Sequence, residues 1–279
     1  MEKIKVNLDA GPFFRGIGDL AILLFVSDYF KFYTIKPPKI DLLRAYGIES
    51  ETDKEGAINL SKAYDLELKD CGKRYRLEYI KEVLGIDFEY KRPELKTSPS
   101  EWVQRHIQRA GKRKIITLCP QTCWGVRSWT KNNWVYLAWQ LKLRRYHPVI
   151  FLNDGDNDYA ECSCVLFERP FSDLIHFLNL SDLIVGVDSC PAHLGALLGK
   201  PTIALQAPTT PICTFGNWDN VQSIQGRLSC TGCHYNSALG FNPSCCVGGS
   251  KITNGCRSML SIAADDVFKE IVNKINQLP

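Results

Sequence analysis

The stretch Val185-Gly186-Val187-Asp188-Ser189-Cys190-Pro191-Ala192-His193-Leu194-Gly195-Ala196-Leu197-Leu198-Gly199-Lys200-Pro201-Thr202-Ile203-Ala204-Leu205 decides the fold. It opens on an apolar run and turns at Asp188-Ser189. Pro191 to Leu198 then reads as a helix, with Ser189 or Cys190 as its cap and Pro191 in its first turn, where the missing N–H is harmless. Gly199-Lys200-Pro201 stops the helix, and Thr202 to Leu205 is a second apolar run. Strand, turn, helix, tight turn, strand is a βαβ unit. Its first turn lies at the carboxyl end of a parallel strand, where open α/β sheets bind ligands. Free backbone N–H groups from Ser189 to Ala192 would face an anion there, helped by the helix dipole. A plain βαβ unit with Asp188 and Ser189 serving only as caps accounts for the same residues.

The pattern extends outward. Ile115 to Leu118, Val149 to Leu152 and Leu183 to Val187 are short and nearly all apolar, as strands buried on both faces are. Trp134, Leu137, Ala138 and Leu141 fall on one helical face, and so do Ala264, Val267, Phe268, Ile271 and Ile275. Phe171 to Leu178 is expected to be a short helix. The first half is less regular. Lys3 to Leu8 reads as a strand, Gly18 to Phe30 as a helix, Tyr64 to Leu68 as a half-buried strand, and Arg74 to Leu84 and Ser100 to Arg109 as helices. The basic stretch Ala110 to Lys114 marks a boundary between domains.

Composition narrows the class. The chain has 279 residues, 45% hydrophobic and 23% charged, which is ordinary globular usage. The longest apolar run, Leu20 to Val26, is far short of the roughly 20 residues of a membrane span. Met1-Glu2-Lys3-Ile4-Lys5 leads into a strand and not into a signal core, so a cytoplasmic location is expected. A net charge of +4 is too weak to argue for nucleic acid but suits an anionic ligand.

Cysteine supplies a second signal. Five of the twelve lie between Cys230 and Cys256: Cys230, Cys233, Cys245, Cys246 and Cys256. A Cys-x-x-Cys pair followed by two distant cysteines has the spacing of a tetrahedral four-thiolate site. One of Cys245 and Cys246 is spare, and His234 is a substitute ligand. Gly240, Pro243, Gly248, Gly249 and Gly255 leave little local core, for which a structural metal would substitute. Softness and geometry admit zinc or iron, and disulfides are the alternative.

Asp188-Ser189 with His193-Leu194, Gly199-x-Pro201-Thr202 and the downstream Ala207-Pro208-Thr209-Thr210-Pro211 resemble the donor-binding signature of the heptosyltransferase-type glycosyltransferases, glycosyltransferase family 9. This chain has Ser189 for Thr, Cys190 for Gly, Ala207 for Gly and Thr210 for Asp. Arg127-Ser128-Trp129 with Trp134 resembles the family's Lys-x-Trp pattern. Arg127 stands for a lysine on the donor pyrophosphate, a role guanidinium fills well. Thr122 matches a phosphate-contacting threonine. Gly16-Ile17-Gly18-Asp19 resembles the loop that opens the first helix, which implies that Asp19 is the catalytic base; a helix cap is the plainer role for an Asp after Gly. The resemblance places a ribose-binding carboxylate near Asp158 or Glu161.

The cysteine cluster is similar to the iron-bearing finger of the autotransporter-protein heptosyltransferases. The resemblance implies a GT-B architecture, with two Rossmann-like domains facing across a cleft. They would be an acceptor-side domain, 1–108, and a nucleotide-sugar domain, 109–279, carrying a Cys-rich metal-binding finger at about 228–258. It implies inverting transfer of a sugar, heptose from ADP-heptose above others, to a glycan or protein hydroxyl, with no metal in the chemical step. Asp188, Ser189, Cys190 and His193 would form and support the donor loop. Alternatives are a nucleotide-sugar epimerase and a metal-stapled module that binds nucleic acid or protein through Lys112-Arg113-Lys114 and Arg144-Arg145. The oligomeric state, homo-oligomer included, stays open.

Overall fold

The computed structural model describes residues 2–10, 16–152, 159, 165–166, 170–235 and 255–278. The first half builds a small parallel sheet. β1 (Ile4–Asn7) is followed by α1 (Ile17–Leu23), a 3-10 segment (Leu24–Tyr29) and β2 (Phe30–Tyr33). Then come α2 (Pro37–Ala45), β3 (Ser50–Glu51), α3 (Ser61–Lys69), α4 (Arg76–Leu84) and α5 (Glu101–Ala110). The strands lie in the order β1-β2-β3, and all pairs are parallel.

Two expectations change here. The single helix read from Gly18 to Phe30 ends at Leu23, and Val26 leaves helical geometry with φ of −127°. Leu20 to Val26 is buried without interruption, so packing on every side, not one helical stripe, shapes the segment. Tyr64 to Leu68 is helical and not a strand. Leu60, Ala63 and Glu67 are the inward positions, spaced as one helical face. A carboxylate in the core broke the apolar pattern and left an alternation that imitates a strand.

The second half is a larger sheet. β4 (Ile115–Cys119), α6 (Lys131–Leu143), β5 (His147–Phe151), β6 (Val165–Leu166) and α7 (Phe171–Leu180) come first. They are followed by β7 (Leu183–Val187), α8 (Cys190–Leu197), β8 (Thr202–Gln206), α9 (Pro211–Phe215), β9 (Val221–Gln225), α10 (Arg257–Leu260) and α11 (Ala264–Asn276). The six strands lie in the order β6-β5-β4-β7-β8-β9 and are all parallel. The expected α/β class and the apolar strands at 115, 149, 183 and 202 are present.

Both faces of this sheet are covered, which is why its strands carry so few polar residues. Ile116, Leu118, Val185 and Ile203 pack with Trp134, Leu137, Val267 and Ile271 of α6 and α11. Ile115, Cys119, Ile184 and Ala204 face the other way, into one core with α1, α2 and α7. That second core runs continuously from one half of the chain to the other. At the junction Ser100 caps α5, accepting from the Val103 amide, and donates to Asp173 of α7 at 2.8 Å.

Candidate functional site

The strand order places a crevice. The chain runs outward from β4 to β5 and β6, then returns to β7 and runs outward through β8 and β9 on the other side. The loops after β4 and β7 therefore part at their carboxyl ends, the position where doubly wound sheets bind ligands. The first loop carries Thr122, Trp124 and Arg127, and the second carries Asp188 and Ser189.

Asp188 is the hub. Its side chain is 1% exposed. One carboxylate oxygen lies 3.1 Å from His193 Nε2, and the other accepts from Thr209 Oγ1 at 2.5 Å. Arg127 Nε stands 3.5 Å from the same Oδ2, and Arg127 Nη1 donates to the Asp188 carbonyl at 3.0 Å. Burial opposes the charged carboxylate, but Arg127, His193 and Thr209 outweigh it and hold the Asp188 carboxyl below its usual range. Asp188 thus ties together the loops after β4, β7 and β8.

Ser189 is the N-cap of α8, yet its hydroxyl makes no capping bond. Its Oγ is buried and has no hydrogen-bond partner among the described residues. The expected run of free amides is shorter than the sequence implied. Pro191 has no N–H, and the Ala192 and His193 amides donate to the Ser189 carbonyl at 3.1 and 3.4 Å. Among the described residues, the Ser189 and Cys190 amides are the ones left at the helix start. The Cys190 thiol is pushed up by burial and stays protonated. His193 stacks on Phe215 with ring centroids 4.6 Å apart, so it supports the loop. The Arg127 guanidinium lies 4.6 Å from the centre of the Trp124 ring, and Thr122 Oγ1 accepts the Trp124 amide at 3.2 Å.

Asp19 arrives from the other half. It sits at the third position of α1, where its Oδ2 accepts the Gly16 amide at 3.1 Å, half of a capping box. The N-cap itself is Gly16. The helix reaches α8 because Gly18 has no side chain: a Cβ there would lie 2.9 Å from His193 Cδ2 and 3.4 Å from Cys190 Cα. Arg76 Nη1 donates to Asp19 Oδ1 at 2.6 Å. Burial raises the Asp19 carboxyl above its usual value, with Arg76, the Gly16 amide, His193 and Arg127 opposing. A carboxylate held reluctantly charged is a better proton acceptor than a free one.

Several of these residues were not singled out by the sequence. Arg76 is gripped on its far side by Glu67, with Nε and Nη2 each 2.8 Å from a carboxylate oxygen. Thr209 is the buried donor to Asp188. His234 considered only as a metal ligand, donates its amide to the Pro208 carbonyl at 2.8 Å and sets its ring edge-on to Trp124 at 5.2 Å. These contacts leave no local signal: Glu67 and Arg76 sit on successive helices nine positions apart, and the other partners are farther apart in sequence.

The remaining expected residues divide. Asp158, Glu161, Cys245 and Cys246 lie outside the described residues. Among the described cysteines of the cluster, Cys230 is half-buried and Cys233 and Cys256 are buried. Cys256 caps α10, its Sγ accepting the Met259 amide at 3.5 Å. No three His, Cys, Asp or Glu side chains gather as a metal-binding group among the described residues. The three described thiols are therefore an incomplete donor set by themselves. No described helix is long and apolar enough to cross a membrane.

Comparison with known proteins identifies the family and the fold. The model of glycosyltransferase family 9 (heptosyltransferase) matches residues 45–238. A search of curated proteins returned no match. Among solved structures, the ADP-heptose lipopolysaccharide heptosyltransferase II of E. coli is similar over 99% of both chains, with 16% identity and a TM-score of 0.62. A family 9 glycosyltransferase from Veillonella parvula is similar over 100% of this chain and 99% of its own, with 16% identity and a TM-score of 0.68. The iron-containing dodecameric glycosyltransferase TibC of enterotoxigenic E. coli is similar over 99% of this chain and 76% of its own, with 14% identity and a TM-score of 0.69. TibC has also been solved in complex with ADP-D-β-D-heptose. At such identities the structures speak for the α/β fold with parallel sheets, and the family match, which spans most of the chain, speaks for the chemistry. The chain belongs to glycosyltransferase family 9, the heptosyltransferase family, and is a glycosyltransferase.

Proposed function

We propose that the chain transfers a heptose from ADP-heptose, with inversion, to a hydroxyl of a glycan or protein acceptor. One observation carries the reading. The Ser189 hydroxyl is buried and unpartnered among the described residues, at the start of a helix and at the reversal of strand order. A buried polar group of this kind wants a partner, and a helix start favours an anionic one. The donor pyrophosphate fits both demands.

In this reading Ser189, the Ser189 and Cys190 amides, Thr122 and Arg127 hold the pyrophosphate. Asp188 and His193 hold the loop, and Asp158 and Glu161 take the ribose. Asp19 accepts the proton of the acceptor hydroxyl as its oxygen bonds to the anomeric carbon. The bond from that carbon to the pyrophosphate oxygen breaks, and ADP leaves with the electron pair. A single displacement with one base inverts the centre. The acceptor side is 1–108 and the donor side 109–279, and the location is cytoplasmic. Cys230, Cys233, Cys256 and one of Cys245 and Cys246 hold a structural iron or zinc, which takes no part in the chemical step. That TibC contains iron supports the assignment.

Thermal melts with ADP, UDP, GDP, NAD and no ligand test the donor. A ligand at 100 times its Kd adds about 2.7 kcal/mol, or roughly 5–10 °C for a chain of this size. A shift with ADP alone is expected. A shift with UDP or GDP alone would replace the donor, and no shift would remove the donor site.

A further inference from the structure

Arg76 and Glu67 form a buried ion pair that packing does not require. Glu67 is fully buried and the Arg76 side chain is 10% exposed. Taking both charges out of water consumes most of what their attraction returns, so such a pair adds little net stability. Yet its geometry is specific. Arg76 opens α4, Glu67 lies in the last turn of α3, and the turn between them passes through Cys71 and Gly72 with φ of 57° and 59°. Thr210 Oγ1 donates to the Gly72 carbonyl at 2.9 Å, which fastens this turn to the loop after β8. The pair is thus held against the cleft, with two guanidinium nitrogens on Glu67 and a third on Asp19.

We propose that Arg76 is a positioning residue that aims the Asp19 carboxylate, and that Glu67 shares the guanidinium charge so that Asp19 stays a competent base. The inference rests on Asp19 being that base. Arg76 Nη1 and the Gly16 amide each take one Asp19 oxygen, so the carboxylate plane cannot turn. A lone arginine at this distance would neutralise Asp19 and weaken it as a base. With Glu67 on the far side, the trio keeps one net negative charge. The other charged or titratable groups that feel Asp19 are His193 and Cys190 from α8, Arg127 from the loop after β4 and Lys39 from α2. His234 feels the charges of Arg127, Arg76, Glu67 and Asp188. None of these grips Asp19 as Arg76 does.

Glu67→Gln keeps the shape and removes the shared charge. Titration of the carboxyl groups by carbon NMR, with Asp19→Asn to assign the signal, should show the Asp19 midpoint lowered by about one pH unit. With ADP-heptose and water as acceptor, the acid limb of turnover should move the same way and the plateau should fall several-fold, while ADP affinity stays within about twofold. Arg76→Lys keeps the charge but loses the fork, and should lower turnover at least about tenfold at unchanged KM for ADP-heptose. An unmoved Asp19 midpoint in Glu67→Gln overturns the charge-sharing, and near-wild-type turnover in Arg76→Lys overturns the positioning. Should Glu67→Gln fail to fold, Arg76→Lys decides alone. A wild-type chain that does not bind ADP would defeat the donor reading, while the NMR titration still decides the coupling.

Discussion

Gly18 and His193 touch across the two halves of the chain: a methyl group on Gly18 would stand 2.9 Å from His193 Cδ2. His193 is held on its other sides by Asp188 and Phe215, so it cannot retreat. In an open helix Gly→Ala would stabilise by up to about 1 kcal/mol. Here Gly18→Ala should instead destabilise by about 2 kcal/mol, seen as a melting point lower by roughly 5 °C. A neutral or stabilised variant would mean that the two helices are not so closely packed.

Asp19→Asn should abolish turnover and leave ADP affinity nearly intact. It should also stabilise the fold. The folded-state pKa of Asp19 is raised above its usual 3.8 by burial, so the folded protein favours the protonated form. The favourable contribution is present below the unfolded pKa and is lost as pH rises through the folded one. The variant should therefore melt higher than wild type at pH 7 and lose that advantage in acid. An equal melting point at both pH values would reject the burial argument, and an active variant would remove Asp19 as the base.

Asp188→Asn leaves Arg127 and His193 without their buried anion. Breaking one partner of such a cluster costs about 3–5 kcal/mol. The wild-type contribution has the opposite pH sign to that of Asp19. The Asp188 carboxyl is held below its usual 3.8, so its stabilisation is present above the unfolded pKa and lost as pH falls toward the folded one. Chemical denaturation at pH 7 and pH 3 should show the variant's deficit shrinking in acid. A constant deficit would assign the loss to packing alone.

Ser189→Ala separates binding from folding. Its hydroxyl has no partner among the described residues, so removing it should leave the melting point unchanged or slightly higher. If the hydroxyl meets the donor pyrophosphate, calorimetry should find ADP affinity lower by about tenfold, near the 1.5–3 kcal/mol of a hydrogen bond to a charged group. Unchanged affinity would place the pyrophosphate elsewhere.

Elemental analysis should find about one iron or zinc per chain, bound by four thiolates. Chelation should lower the melting point and release four titratable thiols. A metal-free chain with two disulfides by mass would reject the finger.

The second half of the fold was legible because its signals are local. The runs at 115, 149, 183 and 202 are apolar since both faces of the sheet are covered, and burial on both sides leaves its mark on consecutive residues. The turn at Asp188-Ser189 and the basic residue at Arg127 were legible for the same reason. The first half was read less well. Glu67 looked like the polar side of a strand because nothing nearby shows that Arg76 will neutralise it in the core.

Read alone, the residues specify the α/β class, the alternation of strand and helix, and the turns after β4 and β7. Periodicity and turn residues act over a few positions, and those features need no more. The tertiary structure decided which charges meet. Asp19 and Arg76 lie 57 positions apart and Arg127 and Asp188 lie 61 apart, and only the packing of α4 on α1 and of α1 on α8 sets the first pair beside the second. A carboxylate becomes a cap, a hub or a base according to the burial and the cations around it, and those arrive from segments that the local pattern cannot see.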